Sequence, residues 1–127
     1  MQCSHDPSRR VDDWKASVGD RTRATARPEP LCSDPWAVQL AGEVGMELAD
    51  RHEQLYPASE LWIALRTAWI DERIRRLCAP RGERRQVVLL GAGLDTRSAR
   101  MGGEGLRWFE VDHPASQALK LERLGEL

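Results

Sequence analysis

Two glycines, an aspartate and an arginine have the types and spacing to do chemistry in this chain. Gly91 and Gly93 follow an apolar run in QVVLLGAGLDTR, residues 86–97, and Asp112 closes a second run, residues 108–111. Glycines after a strand let the backbone turn tightly and let a ligand approach with no Cβ in the way. An acidic side chain about 20 residues further on is placed to grip both hydroxyls of a nucleoside ribose. Asp95 or Thr96 can cap the following helix, leaving amide N–H groups aimed at the turn. Two strand ends thus converge on one nucleoside.

Arg66 is the fourth residue. At about 100° per residue, Trp62, Ile63, Leu65, Trp69, Ile70, Ile74 and Leu77 share one broad apolar helix face, and Arg66 falls in its middle. A guanidinium there needs an anion or a route to water. The position of the third glycine of a dinucleotide fingerprint is occupied by Thr96, which disfavours NAD and leaves S-adenosylmethionine, whose site needs no pyrophosphate clamp. A nicotinamide-dependent oxidoreductase domain is the alternative.

GAGLDTR followed by WFEVDHP resembles the S-adenosylmethionine-dependent methyltransferases related to leucine carboxyl methyltransferase, including their bacterial O-methyltransferase branch. The resemblance extends upstream to LCSDPWAVQLAG, residues 31–42, and to Arg66-Thr67 followed by Asp71. It departs at Ala99, where the family usually carries an aromatic residue. The resemblance implies S-adenosylmethionine as cofactor, with Arg66 on its methionine carboxylate, Gly91 and Gly93 beneath its methionine part and Asp112 on its ribose. It implies methyl transfer to a carboxylate or hydroxyl of a small molecule, and names no catalytic residue in this segment.

The elements that must position these residues follow from pattern. Val87, Val88, Leu89 and Leu90, without alternation, predict a short strand buried on both faces of a parallel sheet. Asp34-Pro35 opens a helix over 35–52, with Trp36, Leu40, Val44 and Leu48 on one stripe and Gly42 and Gly45 permitting close packing. Ser59 caps a second helix over 60–78, a break at 79–82 and a linker at 83–85 lead into strand-turn-helix 86–101, and strand 108–111 precedes a helix over 115–124. The fold class is α/β, the N-terminal part of a Rossmann-like class I methyltransferase fold: a helical region followed by the first two parallel strands. Residues 1–30 are polar and expected to be mobile, with Arg23 and Arg27 as solvated charges, and residues 31–127 form an incomplete methyltransferase domain. His113, beside the ribose-binding acid and before a proline, is expected to be a local or adenine-side contact rather than a base.

Composition bounds the rest. Nineteen basic residues against 20 acidic ones give no net basic field for nucleic acid or an anionic membrane. Cys3, Cys32 and Cys78 are odd in number and without C-x-x-C, so neither a disulfide framework nor a metal site is indicated. No signal peptide or membrane-spanning run is present, and a cytoplasmic location is expected. Two strands leave a sheet edge unpaired, so the chain reads as a truncated cofactor-binding half, or as a fragment silent by itself. Neither the acceptor nor the oligomeric state is legible.

Overall fold

A computed structural model describes residues 7–78, 85–103 and 105–125, with side chains from residue 14. Three long helices, α1 (Pro7–Thr25), α2 (Ala37–Leu55) and α3 (Ser59–Leu77), precede β1 (Arg85–Leu90), the short α4 (Arg97–Arg100), β2 (Leu106–Val111) and α5 (Pro114–Leu124). The strands run parallel, Arg85 opposite Leu106 through Leu90 opposite Val111. The expected α/β order is therefore present; the break and linker at 79–84 lie outside the described residues.

Within the segment expected to be mobile, residues 7–25 instead form α1, and residues 1–6 lie outside the described residues. Sparse apolar residues suffice because they are small and placed on one side: Ala16, Val18 and Ala24 are buried. Gly19 packs so closely on α2 that a Cβ there would meet the Gly45 carbonyl and lie 2.7 Å from the Ala49 Cβ. Arg23, expected to be solvated, is paired, reaching Asp20 at 2.7 Å and Asp50 at 2.5 Å, whereas Arg27 is 63% exposed and reaches Glu60 at 2.8 Å.

Helix α2 breaks at Gly42 (φ 57°, ψ −172°), where the carbonyls of Leu40 and Ala41 accept hydrogen bonds from Nη1 of Arg123 on α5. The break turns the second half of the helix, so Ala37, Leu40 and Ala41 are buried before it, and Gly45 and Ala49 after it. The expected stripe fails at Val44, which is half exposed.

The cap of α3 is also supplied from outside the helix. Ala58 adopts a left-handed conformation (φ 72°), and Glu53 accepts from Ala58 N at 2.8 Å, Ser59 Oγ at 2.7 Å and Glu60 N at 3.1 Å. Those three bonds hold the Glu53 carboxyl down to about 2, the Ser59 hydroxyl contributing most. The buried face of α3 is Ser59, Ile63, Ala64, Thr67 and Asp71, whereas Trp62, Leu65, Trp69 and Leu77 of the expected apolar face are largely exposed. Small side chains win the inner face because α3 packs against Ala24 and Cys32, a site without room for indoles.

One core joins the helices to the turn: Val18, Ala37, Leu40, Ala41 and Leu94, with Met46, Leu119 and Leu124 packed on it. Strands β1 and β2 alternate instead of being buried on both faces, and Val88, Leu90, Phe109 and Val111 point to the open side. Among the described residues the sheet has two strands, and nothing covers that side. On α5 the buried residues are Ser116 and Lys120.

Candidate functional site: a cleft over the glycine turn

The turn after β1 is built by backbone. Gly91 and Gly93 take positive φ, 65° and 50°, which side-chain-bearing residues rarely adopt. Gly91 N and Ala92 N both donate to the Val111 carbonyl, at 2.8 and 3.3 Å, binding the turn to the end of β2. Gly93 N donates to Oδ2 of Asp112, while Oδ1 accepts from His113 N at 2.5 Å. A carboxylate has about four lone-pair sites, so two remain for a ligand's hydroxyls. Leu94 then turns inward and anchors the loop in the helical core.

The far side of the turn is held by buried charge. Asp95, rather than Thr96, caps α4, accepting from Arg97 N at 2.8 Å. Arg97 bonds Asp71 at 2.7 Å and the Asp95 carboxylate, and Arg100 bonds the other oxygen of Asp71 at 2.7 Å. Burial alone would raise the Asp71 carboxyl, but the hydrogen bond and charge of Arg100 and the charge of Arg97 outweigh it and hold it below the ordinary aspartate value. Arg21 reaches from α1 to the Leu94 carbonyl at 2.7 Å and to Asp34 at 2.9 Å. Lys120 donates to the Asp95 carbonyl and to both oxygens of Glu110, at 2.7 and 2.6 Å. Each buried charge thus has an opposite partner, as burial requires.

Above the turn lies a cleft of about 570 Å³, within the range of small-molecule sites. Its floor is the backbone of residues 91–95 and its walls include Trp14, His52, Tyr56, Trp62 and Arg66. A Cβ on Gly91 would meet nothing within 4 Å, so the turn is open towards a ligand. Arg66 is exposed and forms no ion pair with any described residue. Of the four sequence-predicted residues, Arg66, Gly91 and Gly93 line this cleft, and Asp112 joins it through Gly93. His113 is a local contact, its Nδ1 accepting from Ala115 N at 3.3 Å as the cap of α5.

Sequence reasoning missed Trp14, His52 and Tyr56 as cleft residues, and the pairing of Asp71 with Arg97 and Arg100. Their partners lie 26 and 29 residues apart, beyond any local spacing rule. Among the described residues no three His, Cys, Asp or Glu side chains stand together in a way that could hold a metal, and no helix is long and apolar enough to cross a membrane.

Helices ahead of a parallel strand pair, with a glycine turn tied to an acidic residue at the end of the second strand, have the form of the N-terminal part of a Rossmann-like α/β fold. The chain belongs to the leucine carboxyl methyltransferase family, which it matches over residues 16–127. It is similar to a protein of Frankia alni named as an S-adenosyl-L-methionine-dependent methyltransferase, 42% identical over 113 residues covering 78% of this chain and 38% of the relative. Proteins of the same name from Mycolicibacterium smegmatis and Streptomyces coelicolor are 37% and 38% identical over 119 and 120 residues, each covering 84% of this chain and 39% and 41% of the relative. The chain spans about two fifths of the length of the curated relatives it matches.

Proposed function

We propose that this chain is the cofactor-binding part of an S-adenosylmethionine-dependent O-methyltransferase acting on a carboxylate or hydroxyl of a small molecule. The observation that carries the reading is the cleft itself: Arg66, with no ion-pair partner among the described residues, lines it together with a glycine turn whose backbone is open and whose position is fixed by Asp112. Family membership and the names of the relatives support it.

The residues fit the group. Arg66 binds the methionine carboxylate, Gly91 and Gly93 let the chain lie against the turn, and the free lone pairs of Asp112 accept from the ribose hydroxyls. When bound, S-adenosylmethionine supplies a methyl carbon already activated by a sulfonium. The chain's own task is to hold and orient, which is worth several kcal/mol of barrier on its own. The oxidoreductase alternative is disfavoured at Thr96, which stands where the dinucleotide fingerprint has its third glycine for close helix–strand packing; its side chain is buried and its Oγ1 accepts from Arg100 Nε at 2.9 Å. We further read residues 31–127, together with α1, as an incomplete domain, and place the protein in the cytoplasm with its free Cys32 and Cys78 reduced, without nucleic acid or membrane as partner.

Calorimetric titration with S-adenosylhomocysteine, beside NADH and an Arg66→Ala variant, tests the proposal. Saturable binding of S-adenosylhomocysteine alone, weakened at least about tenfold in the variant, is expected. Binding of NADH instead, or equal affinity in the variant, would overturn it.

A further inference from the structure

The chain holds five tryptophans, one tyrosine and one phenylalanine, and two of those tryptophans and the tyrosine stand on the cleft. Trp14 comes from α1, Tyr56 from the end of α2 and Trp62 from the start of α3, so three separate elements bring rings to one place. Tyr56 and Trp62 remain 63% and 65% exposed. Large flat side chains left exposed around a cleft are suited to stack on a planar ligand.

His52 stands among them, its ring edge-on to Tyr56 at 5.1 Å between centroids. Behind it is Asp20 of α1, fully buried, with Oδ1 held by Arg23 at 2.7 Å and Oδ2 without a hydrogen-bond partner. That free oxygen lies 3.6 Å from His52 Nδ1, which is itself buried and without a hydrogen-bond partner. The His52 side chain is nevertheless 38% exposed, so its accessible edge is the opposite one, which carries Nε2. A carboxylate behind one ring nitrogen and open space before the other is the arrangement in which imidazole takes a proton from a hydroxyl. The 3.6 Å gap is longer than a hydrogen bond, and such pairs often close only when the site is filled.

We infer that the acceptor is a phenol, stacked on Trp14, Tyr56 and Trp62, whose hydroxyl faces His52 Nε2. This deepens the methyl-transfer reading and rests on it, choosing a hydroxyl over a carboxylate because a carboxylate has no proton to lose. In the step assigned to this chain the phenol O–H bond breaks, its proton forms a bond to His52 Nε2, and the electron pair stays on oxygen as the nucleophile. Asp20 is a positioning residue, holding the ring and offsetting the imidazolium charge.

The probe is 4-nitrophenol, titrated into the 127-residue chain with and without S-adenosylhomocysteine at a pH where the free phenol is un-ionised, and followed by its phenolate absorbance. Saturable binding with growth of the phenolate band is expected for the parent chain. Trp62→Ala, an exposed position, is expected to lower the affinity by up to about tenfold. In His52→Gln the probe is expected to bind without the band, a readout that a purely structural histidine would not move. Circular dichroism checks that each variant is folded, and Asp20→Asn should weaken the band while His52 remains. No saturable binding, a band that persists in His52→Gln, or equal binding of cyclohexanol or benzoate would overturn the inference. If S-adenosylhomocysteine binds and 4-nitrophenol does not, this inference alone fails; if neither ligand binds, the cofactor reading fails with it.

Discussion

The carboxylate of Asp112, at the end of β2, accepts the backbone N–H of Gly93, in the turn that follows β1. A side chain expected to serve a ligand is therefore also the tie between the two strand ends.

Asp112→Ala is expected to act twice. Loss of the two amide bonds costs about 1–3 kcal/mol of stability, since hydrogen bonds to a charged acceptor are the stronger kind. Affinity for S-adenosylhomocysteine falls by at least about tenfold. Urea denaturation reads the first and calorimetry the second; unchanged affinity would remove Asp112 from the site.

Asp71→Asn leaves Arg97 and Arg100 buried without their shared carboxylate. Breaking a buried ion pair from one side typically costs about 3 kcal/mol or more. The urea midpoint should fall accordingly. Arg66→Ala, at an exposed position with no ion-pair partner among the described residues, should stay within about 0.5 kcal/mol of the parent.

The acid limb of stability should carry the mark of Glu53. Its carboxyl is lowered from 4.5 to about 2 in the folded chain, so its contribution is complete above the unfolded value and is lost as pH falls through the folded one. Comparing urea midpoints of the parent and Glu53→Gln should give a constant gap above about pH 5 that closes between there and pH 2. A gap independent of pH would mean that the cap of α3 does not depend on the charge.

Two glycine substitutions separate two causes. Gly19→Ala drives a methyl into the Gly45 carbonyl and should cost about 1–3 kcal/mol by forcing α1 away from α2. Gly91→Ala meets nothing within 4 Å and should cost about 1–2 kcal/mol through its positive φ alone.

The parts of the fold legible in the sequence were those set by local pattern. The apolar run at 87–90, the glycines and the acid at 112 marked the strand pair and its turn, because strand periodicity and turn chemistry act over a few residues. Arg66 was found by its conflict with an apolar face. The same periodicity misassigned that face: Trp62 and Trp69 satisfy a helical stripe, yet Ala64, Thr67 and Asp71 turn inward, because the partner surface admits only small side chains and the Asp71 carboxylate has two arginines to meet. Helix α1 was missed because its burial rests on Gly19, Ala16 and Ala24, which carry little hydropathy, and on ion pairs to α2 and α3 that no local window contains. The His52 and Asp20 pair was illegible for the same reason, being assembled across two helices.

The bonds of Arg21 to the Leu94 carbonyl, of Lys120 to the Asp95 carbonyl and of Arg97 to the Asp95 carboxylate have one more consequence. They fix the loop from three directions before any ligand arrives, so its conformational entropy is surrendered during folding rather than during binding. The turn is pre-organised, and a ligand entering over it meets a rigid template whose Gly93 and Asp95 amides, bonded to Asp112 and to the Ala92 carbonyl, should already be protected from exchange.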